Sequence, residues 1–307
     1  MTFSTRTAAV MVSALLAVGS IGLADATAAP SAQAVDFYGA GARECPAALA
    51  TQGKGLGFVT TMAGARTYAS DIDLGTQATS AAWLRAPRTS HTVAGQKLSS
   101  PSGYMVIDRA GSAYFVRQAD NGMLLSKTKI RGPWKGLRAI VGAAPTGRPD
   151  AASTATRVMY GITTGGGLVR MPISWNAKGI PGVGARKTLG TGYRDYVALR
   201  FSGYTHEANT PVSDHLVGIT SSGRFVRVEA ARTGRVTLRI LARSGFSGLI
   251  DFVTDQCWQD GASDAWLVRG KNGSLARYVD PDVTDTTLRG LTKTPLRGTL
   301  PAGVRLL

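Results

Sequence analysis

The chain has 307 residues, with 35 Lys and Arg against 19 Asp and Glu, a formal net charge of +16. That balance excludes an acidic, Glu-rich helical protein and points to anionic partners or a highly soluble secreted chain, without bearing on the fold. A hydrophobic share of 44% excludes a disordered polymer, and 38 glycines with only 18% charged residues, where about 25% is usual, depart from an average composition.

The first predicted element is an export signal covering residues 1–34. Arg6 gives it a positive start, Ala8–Ala24 is an apolar run, and small-x-small sites follow at Ala26–Ala28 and Ala32–Ala34. Cleavage is therefore expected after Ala28 or Ala34. A membrane anchor is the alternative, but the run is short and rich in Ala, Gly and Ser, whereas a span needs about 20 strongly apolar residues. Arg6 and Asp25 cancel, so the mature chain, expected to be secreted and without a membrane span, keeps the whole +16. Residues 35–55 read as an N-terminal segment and 56–307 as the folded domain. Cys45 and Cys257 are the only cysteines. In an exported protein an even pair reads as a disulfide, with two buried thiols as the alternative. No CxxC motif or Cys/His cluster suggests a metal, and no cofactor motif occurs.

Helix signals are thin beyond this point. The Glu residues of the mature chain are Glu44, Glu207 and Glu229, and no long segment places apolar residues at i, i+3, i+4 and i+7. Short alternating runs between Gly, Asn, Asp and Ser turns dominate, the pattern of an all-β sandwich, barrel or propeller. Self-comparison narrows the choice. Gly161–Arg170 (GITTGGGLVR) returns as Gly218–Arg227 (GITSSGRFVR), with weaker copies at Thr61–Tyr68, Asp108–Phe115 and Arg269–Arg277. Their turn glycines, Gly64, Gly111, Gly166, Gly223 and Gly273, recur about every 50 residues. Glycine there supplies positive φ in a tight hairpin, and the run that follows alternates as a strand.

A second motif follows three of these turns. Trp134, Leu137 and Ile140 align with Tyr193, Tyr196 and Leu199 and with Phe246, Leu249 and Phe252. Two motifs in one order at one period of about 50 residues, in an all-β chain, indicate propeller blades that bury their faces against one another.

The hairpin glycine, the apolar–x–aromatic strand and the Gly-aromatic segments (Gly192-Tyr193, Gly245-Phe246) resemble the tachylectin repeat. The resemblance covers roughly residues 56–307 and is clearest over 103–279. It implies a five-bladed β-propeller of four-stranded antiparallel sheets that binds N-acetylated amino sugars between blades. Where the family carries an aromatic four residues after the turn glycine, this chain has Tyr68 and Phe115 but then Arg170, Arg227 and Arg277. In a five-bladed ring Cys257 leaves the fourth unit near where Cys45 enters the first, so a bridge would close the ring.

Catalytic constellations are scarce. The histidines are His91, His206 and His215, and no GxSxG, HExxH or phosphate-binding loop occurs. Ser213-Asp214-His215 is not a triad, because neighbours on a strand point to opposite faces. No sialidase-type box or recurrent pair of carboxylates suggests a glycosidase. Asp280, Asp282 and Asp285 read as an Asp-rich turn rather than a Ca²⁺ loop, for want of the glycine and spacing of an EF-hand. The chain is accordingly read as a monomeric binding module and not an enzyme.

Two readings of the binding residues stay open. Trp134, Tyr193 and Phe246 are either plugs between sheets or platforms on which a sugar ring stacks. Arg170, Arg227 and Arg277 share one repeat position and would meet anionic substituents. Other cations gather around Trp134 (Lys127, Lys129, Arg131, Lys135, Arg138) and from Arg224 to Arg243. The two functional expectations are a secreted lectin-like module for amino-sugar glycans, and a cationic protein that holds anionic cell-wall polymers by charge alone. No nucleic-acid motif with interleaved aromatics appears.

Overall fold

Alternating apolar and polar residues between glycine turns fold here as twisted antiparallel strands, because one face of each strand must find a neighbouring sheet. The computed structural model describes residues 48–59, 72–87, 91–93, 96–98, 102–118, 124–143, 155–207, 210–255, 264–280, 287–300 and 303–307, and every regular element among them is a strand. The predicted signal segment, Cys45, Cys257, Gly64, Tyr68, Asp282 and Asp285 lie outside these residues.

The strands form a five-bladed propeller. The first blade contains β1 (Ala48–Gln52), β2 (Gly55–Val59) and β3 (Ile72–Asp73). The second is β4 (Ala78–Arg85), β7 (Ser102–Asp108), β8 (Ala113–Gln118) and β9 (Leu124–Ile130), with a hairpin of β5 (His91–Val93) and β6 (Gln96–Leu98) inserted after its inner strand. The third is β10 (Leu137–Gly142), β11 (Val158–Thr163), β12 (Leu168–Trp175) and an outer strand split into β13 (Pro181–Val183) and β14 (Lys187–Gly190). The fourth is β15 (Tyr196–Glu207), β16 (Thr210–Thr220), β17 (Phe225–Ala231) and β18 (Val236–Ala242). The fifth is β19 (Leu249–Asp255), β20 (Asp264–Gly270), β21 (Ser274–Asp280) and β22 (Thr292–Thr299).

The ring closes through β23 (Val304–Leu306), which becomes the inner strand of the first blade. It pairs antiparallel with β1, Ala50 opposite Leu306 and Gln52 opposite Val304. β1 and β2 straddle the expected domain boundary at residue 56, and both belong to the ring.

Burial is organised between blades. Leu56 and Leu74 of blade 1 meet Ala81, Val106 and Val116 of blade 2, and Met105 and Phe115 meet Met159 and Met171 of blade 3. Tyr160 and Leu168 meet Leu199 and Leu216 of blade 4, and Phe225 meets Phe252 and Trp266 of blade 5. Val253 and Leu267 of blade 5 complete the circle against Val304 and Leu306. Each core belongs to two blades, so no blade keeps its apolar faces dry alone.

The turn glycines behave as expected: Gly111, Gly166, Gly223 and Gly273 take φ of 77°, 82°, 81° and 79° between the second and third strands of their blades. The first blade differs from the sequence expectation. Its corresponding hairpin joins β1 to β2 through Gly53, at φ 56°, ahead of the repeat assigned to Gly64.

Candidate functional site

Antiparallel order puts the hairpin between the second and third strands at the same end of every blade as the connection into the next blade. The two sequence motifs therefore meet at this end, and backbone hydrogen bonds join them. Tyr193 N–H donates to the Gly166 carbonyl at 2.9 Å, Phe246 N–H to Gly223 at 3.2 Å, and Leu300 N–H to Gly273 at 3.2 Å. In return Thr164, Ser221 and Lys271 donate to Gly136, Asp195 and Gly248 at 2.7–2.8 Å. Glycine is required at two turns for space as well as for φ: a Cβ on Gly223 would stand 2.4 Å from Ser247 N, and one on Gly166 would stand 2.8 Å from Arg194 N.

This turn end is cationic. Lys54, Arg109, Lys271 and Arg224 lie exposed on the hairpins, and Arg131, Lys135, Arg194 and Arg243 lie exposed on the connections. Asp73 and Asp195 are the exposed acids beside them among the described residues. Arg138 and Arg186 are held differently. Arg138 donates to the Tyr193 and Arg194 carbonyls at 2.6 and 2.9 Å, and Arg186 donates to the carbonyls of Pro133 and Lys135. Burial pushes both guanidinium pKa values down.

The three motif aromatics sit just beneath this surface, between blades 2 and 3, 3 and 4, and 4 and 5. Trp134, Tyr193 and Phe246 are 4%, 4% and 6% exposed. Trp134 donates its indole N–H to the Ile130 carbonyl at 2.9 Å. The Tyr193 ring lies 5.1 Å from Tyr196, and the Phe246 ring lies 5.0 Å from Phe225 and 5.7 Å from Tyr278. In this arrangement they are plugs between sheets, with no ring face open to solvent.

Arg170, Arg227 and Arg277 do occupy one structural position, on the third strand of blades 3, 4 and 5, but it is not on an exposed annulus. Phe115, at the same position in blade 2, packs against blade 3, and the shared strand parity turns the arginines toward their next blades too. Arg170 crosses to blade 4 and donates to the Ala231 and Arg232 carbonyls, both at 3.1 Å. Arg227 is 4% exposed. Arg277 is half-buried, with Nε and one terminal nitrogen buried and without hydrogen-bond partners among the described residues. Strand alternation reveals which residues share a face, but not that a neighbouring blade covers it.

Two buried charge networks escaped the sequence reading, having no repeat signature. Tyr160 donates its hydroxyl to Asp214 Oδ2 at 2.5 Å across the interface of blades 3 and 4. Burial, then the Asp214 charge, holds the phenol well above its usual range. Nearer the axis, Asp251 pairs with Arg269 at 3.4 Å. Desolvation raises the Asp251 pKa against the pull of Arg269, Arg200 and Arg305. Burial pushes Arg200 down to about 10 despite Asp251, and its guanidinium lies 5.7 Å from the Phe252 ring. Such networks are weak evidence for stability.

Asp214 turns away from its neighbours, as alternation requires. Ser213 and His215 share the other face, with Oγ and Nε2 3.5 Å apart, and Glu229 stands across the ladder from His215. Among the described residues no group of three or more His, Cys, Asp or Glu could hold a metal, and no helix is long and apolar enough to cross a membrane.

No family model and no curated protein matches the sequence. Solved propeller structures are similar at low identity. The periplasmic gluconolactonase of Pseudomonas aeruginosa is 14% identical, with a TM-score of 0.33, over 66% of this chain and 53% of that one, so this chain spans about half its length. The Cps50 (Swd1) β-propeller domain of Myceliophteria thermophila is 11% identical over 84% of this chain and 73% of that one, with a TM-score of 0.32. BBS1N, solved in complex with ARL6DN, is 12% identical over 85% of this chain and 76% of that one, with a TM-score of 0.34. The sheet topology itself establishes the chain as a five-bladed β-propeller.

Proposed function

We propose that this chain is a secreted propeller module that binds anionic polymers through its turn end and is not an enzyme. One observation carries the reading: the tight turns at that end bear Lys54, Arg109, Arg131, Lys135, Arg194, Arg224, Arg243 and Lys271 against Asp73 and Asp195. Fixed backbone turns anchor these flexible charged side chains at one end of the ring, so a phosphate-rich cell-wall polymer meets several at once. Charge of this kind gives affinity that falls steeply with salt. The test is retention on teichoic acid or a synthetic poly(glycerol phosphate) across a salt series. Lys135→Glu with Arg194→Glu should weaken retention and lower the salt slope by about one for each phosphate no longer neutralised. Unchanged retention in that double variant would sink the reading.

A second reading, an amino-sugar module with an anionic preference, draws on the tachylectin resemblance and on the inter-blade placement of Trp134, Tyr193 and Phe246. It requires an inter-blade core to open so that a ring can stack on sugar, with Arg170, Arg227 or Arg277 meeting an acidic substituent. Competition by free N-acetylglucosamine in the same retention assay separates the two, since charge alone is indifferent to that sugar.

A further inference from the structure

The outer edges of the blades are not equally protected. Among the described residues the outer strand of blade 1 has two residues, that of blade 3 is split between β13 and β14, and that of blade 5 contains Pro295. That of blade 2 carries Lys127, whose ammonium donates to the Asp73 carbonyl of blade 1. These are the usual ways in which an edge is blunted. β18 is less interrupted, with one register shift near its end and Arg239 as its charged residue. It runs seven residues without proline or an irregularity at its centre, and among the described residues its only strand partner is β17.

Its two faces have different chemistry. Val236, Leu238 and Ile240 share one face, that of Val226 and Val228, and Leu238 and Ile240 are 49% and 39% exposed. Arg235, just ahead of the strand, and Arg239 within it follow the other parity, and both are exposed. Glu229 is the one acid against them that the structure pairs, with Arg239 at 4.0 Å. Edge pairing with a second copy is disfavoured, since antiparallel self-pairing that matches Leu238 with Ile240 also sets Arg239 against Arg239.

The geometry points to β18 as a docking edge for an extended acidic segment of a partner protein. The segment adds a fifth strand to blade 4 and reads apolar–acidic–apolar opposite Leu238, Arg239 and Ile240. Ladder hydrogen bonds supply affinity, and the alternation supplies selectivity. This surface lies on the rim and is separate from the turn end, so it stands or falls independently of polymer binding.

The probe is a short labelled peptide of alternating Glu and Val, blocked at both ends, titrated against the full-length mature chain by fluorescence anisotropy. Saturable binding is expected, with hydrogen-exchange protection confined to β18. Leu238→Lys should weaken it by more than about tenfold, and N-methylation of the peptide's ladder-facing amides should abolish it. Should Leu238→Lys fail to fold, Leu238→Thr keeps strand propensity and should produce a smaller loss in the same direction. Absence of binding overturns the proposal. So does equal binding of the N-methylated peptide, which reduces the interaction to charge, or of the Lys/Val counterpart.

Discussion

The two ends of the ring hold their blades together in different ways. At the turn end the ties that recur at the same place are backbone to backbone, Tyr193 to Gly166, Phe246 to Gly223 and Leu300 to Gly273, with Arg138 and Arg186 adding single side-chain ties. At the opposite end they run mainly through individual side chains, Tyr160 to Asp214, Arg170 to the Ala231 and Arg232 carbonyls, and Arg117 to the Lys178 carbonyl. A backbone tie restricts side chains only where there is no room for one, so the turn end can carry almost any charge. A side-chain tie depends on a particular pair, and no two interfaces need share it. The turn end is thus free to specialise its surface while keeping its architecture.

Substitutions at the glycines should break this contrast most severely. Gly223→Ala combines positive φ with a backbone clash and should lower stability by about 3 kcal/mol or more. Gly111→Ala, at φ 77° with nothing within 4 Å of the new Cβ, should lower it by only about 1 kcal/mol. Chemical denaturation of the two variants measures the difference, and equal losses would remove the role assigned to Ser247. At the other end, Tyr160→Phe strips the hydrogen bond from Asp214 Oδ2 and leaves a carboxylate that is 2% exposed with neither oxygen paired. The expected loss is about 1–3 kcal/mol by the same measurement.

Arg170→Met keeps much of the buried stem but removes the hydrogen bonds to the Ala231 and Arg232 carbonyls, for an expected loss of about 1 kcal/mol. Hydrogen exchange should rise at the turn between β17 and β18 and not at Gly223. A smaller effect is expected from acid. His215 has its pKa lowered, first by burial, with Arg227 and Arg239 acting in the same direction and Glu229 and Asp214 opposing. The unfolded chain therefore takes up this proton first, so the His215 contribution is intact above the ordinary histidine pKa of about 6.5 and is lost as pH falls through the lower folded value. His215→Gln should flatten the stability profile in that window. An unchanged slope would assign it to other groups.

Much of the fold was legible in the sequence because the turn end repeats. Gly166 and Gly223 leave a visible trace since their backbone geometry admits almost no other residue, and Tyr193 and Phe246 leave one because each must fill the same gap. The first blade was harder to read. Its hairpin at Gly53 is shorter, and its inner strand comes from residues 304–306, so the unit is divided between two distant stretches of sequence. The shared position of Arg170, Arg227 and Arg277 was visible, but its direction was not, because alternation fixes parity and leaves the covering blade unspecified. Tyr160–Asp214 was invisible for a related reason, since it joins residues on two blades that meet only after the blades have packed; Arg269–Asp251 faces across one ladder within blade 5 but has no counterpart in the other repeats to mark it.

The pairing of β23 with β1 has a kinetic consequence. Most ladders here join strands adjacent in sequence and can form early, but this one spans nearly the whole chain and carries the largest loop-closure entropy. Until Val304–Leu306 arrive, β1 presents an unpaired edge and Ala50 lacks part of its cover. Refolding should therefore show a slow final phase associated with ring closure, and the open ring is the species most exposed to aggregation through that edge.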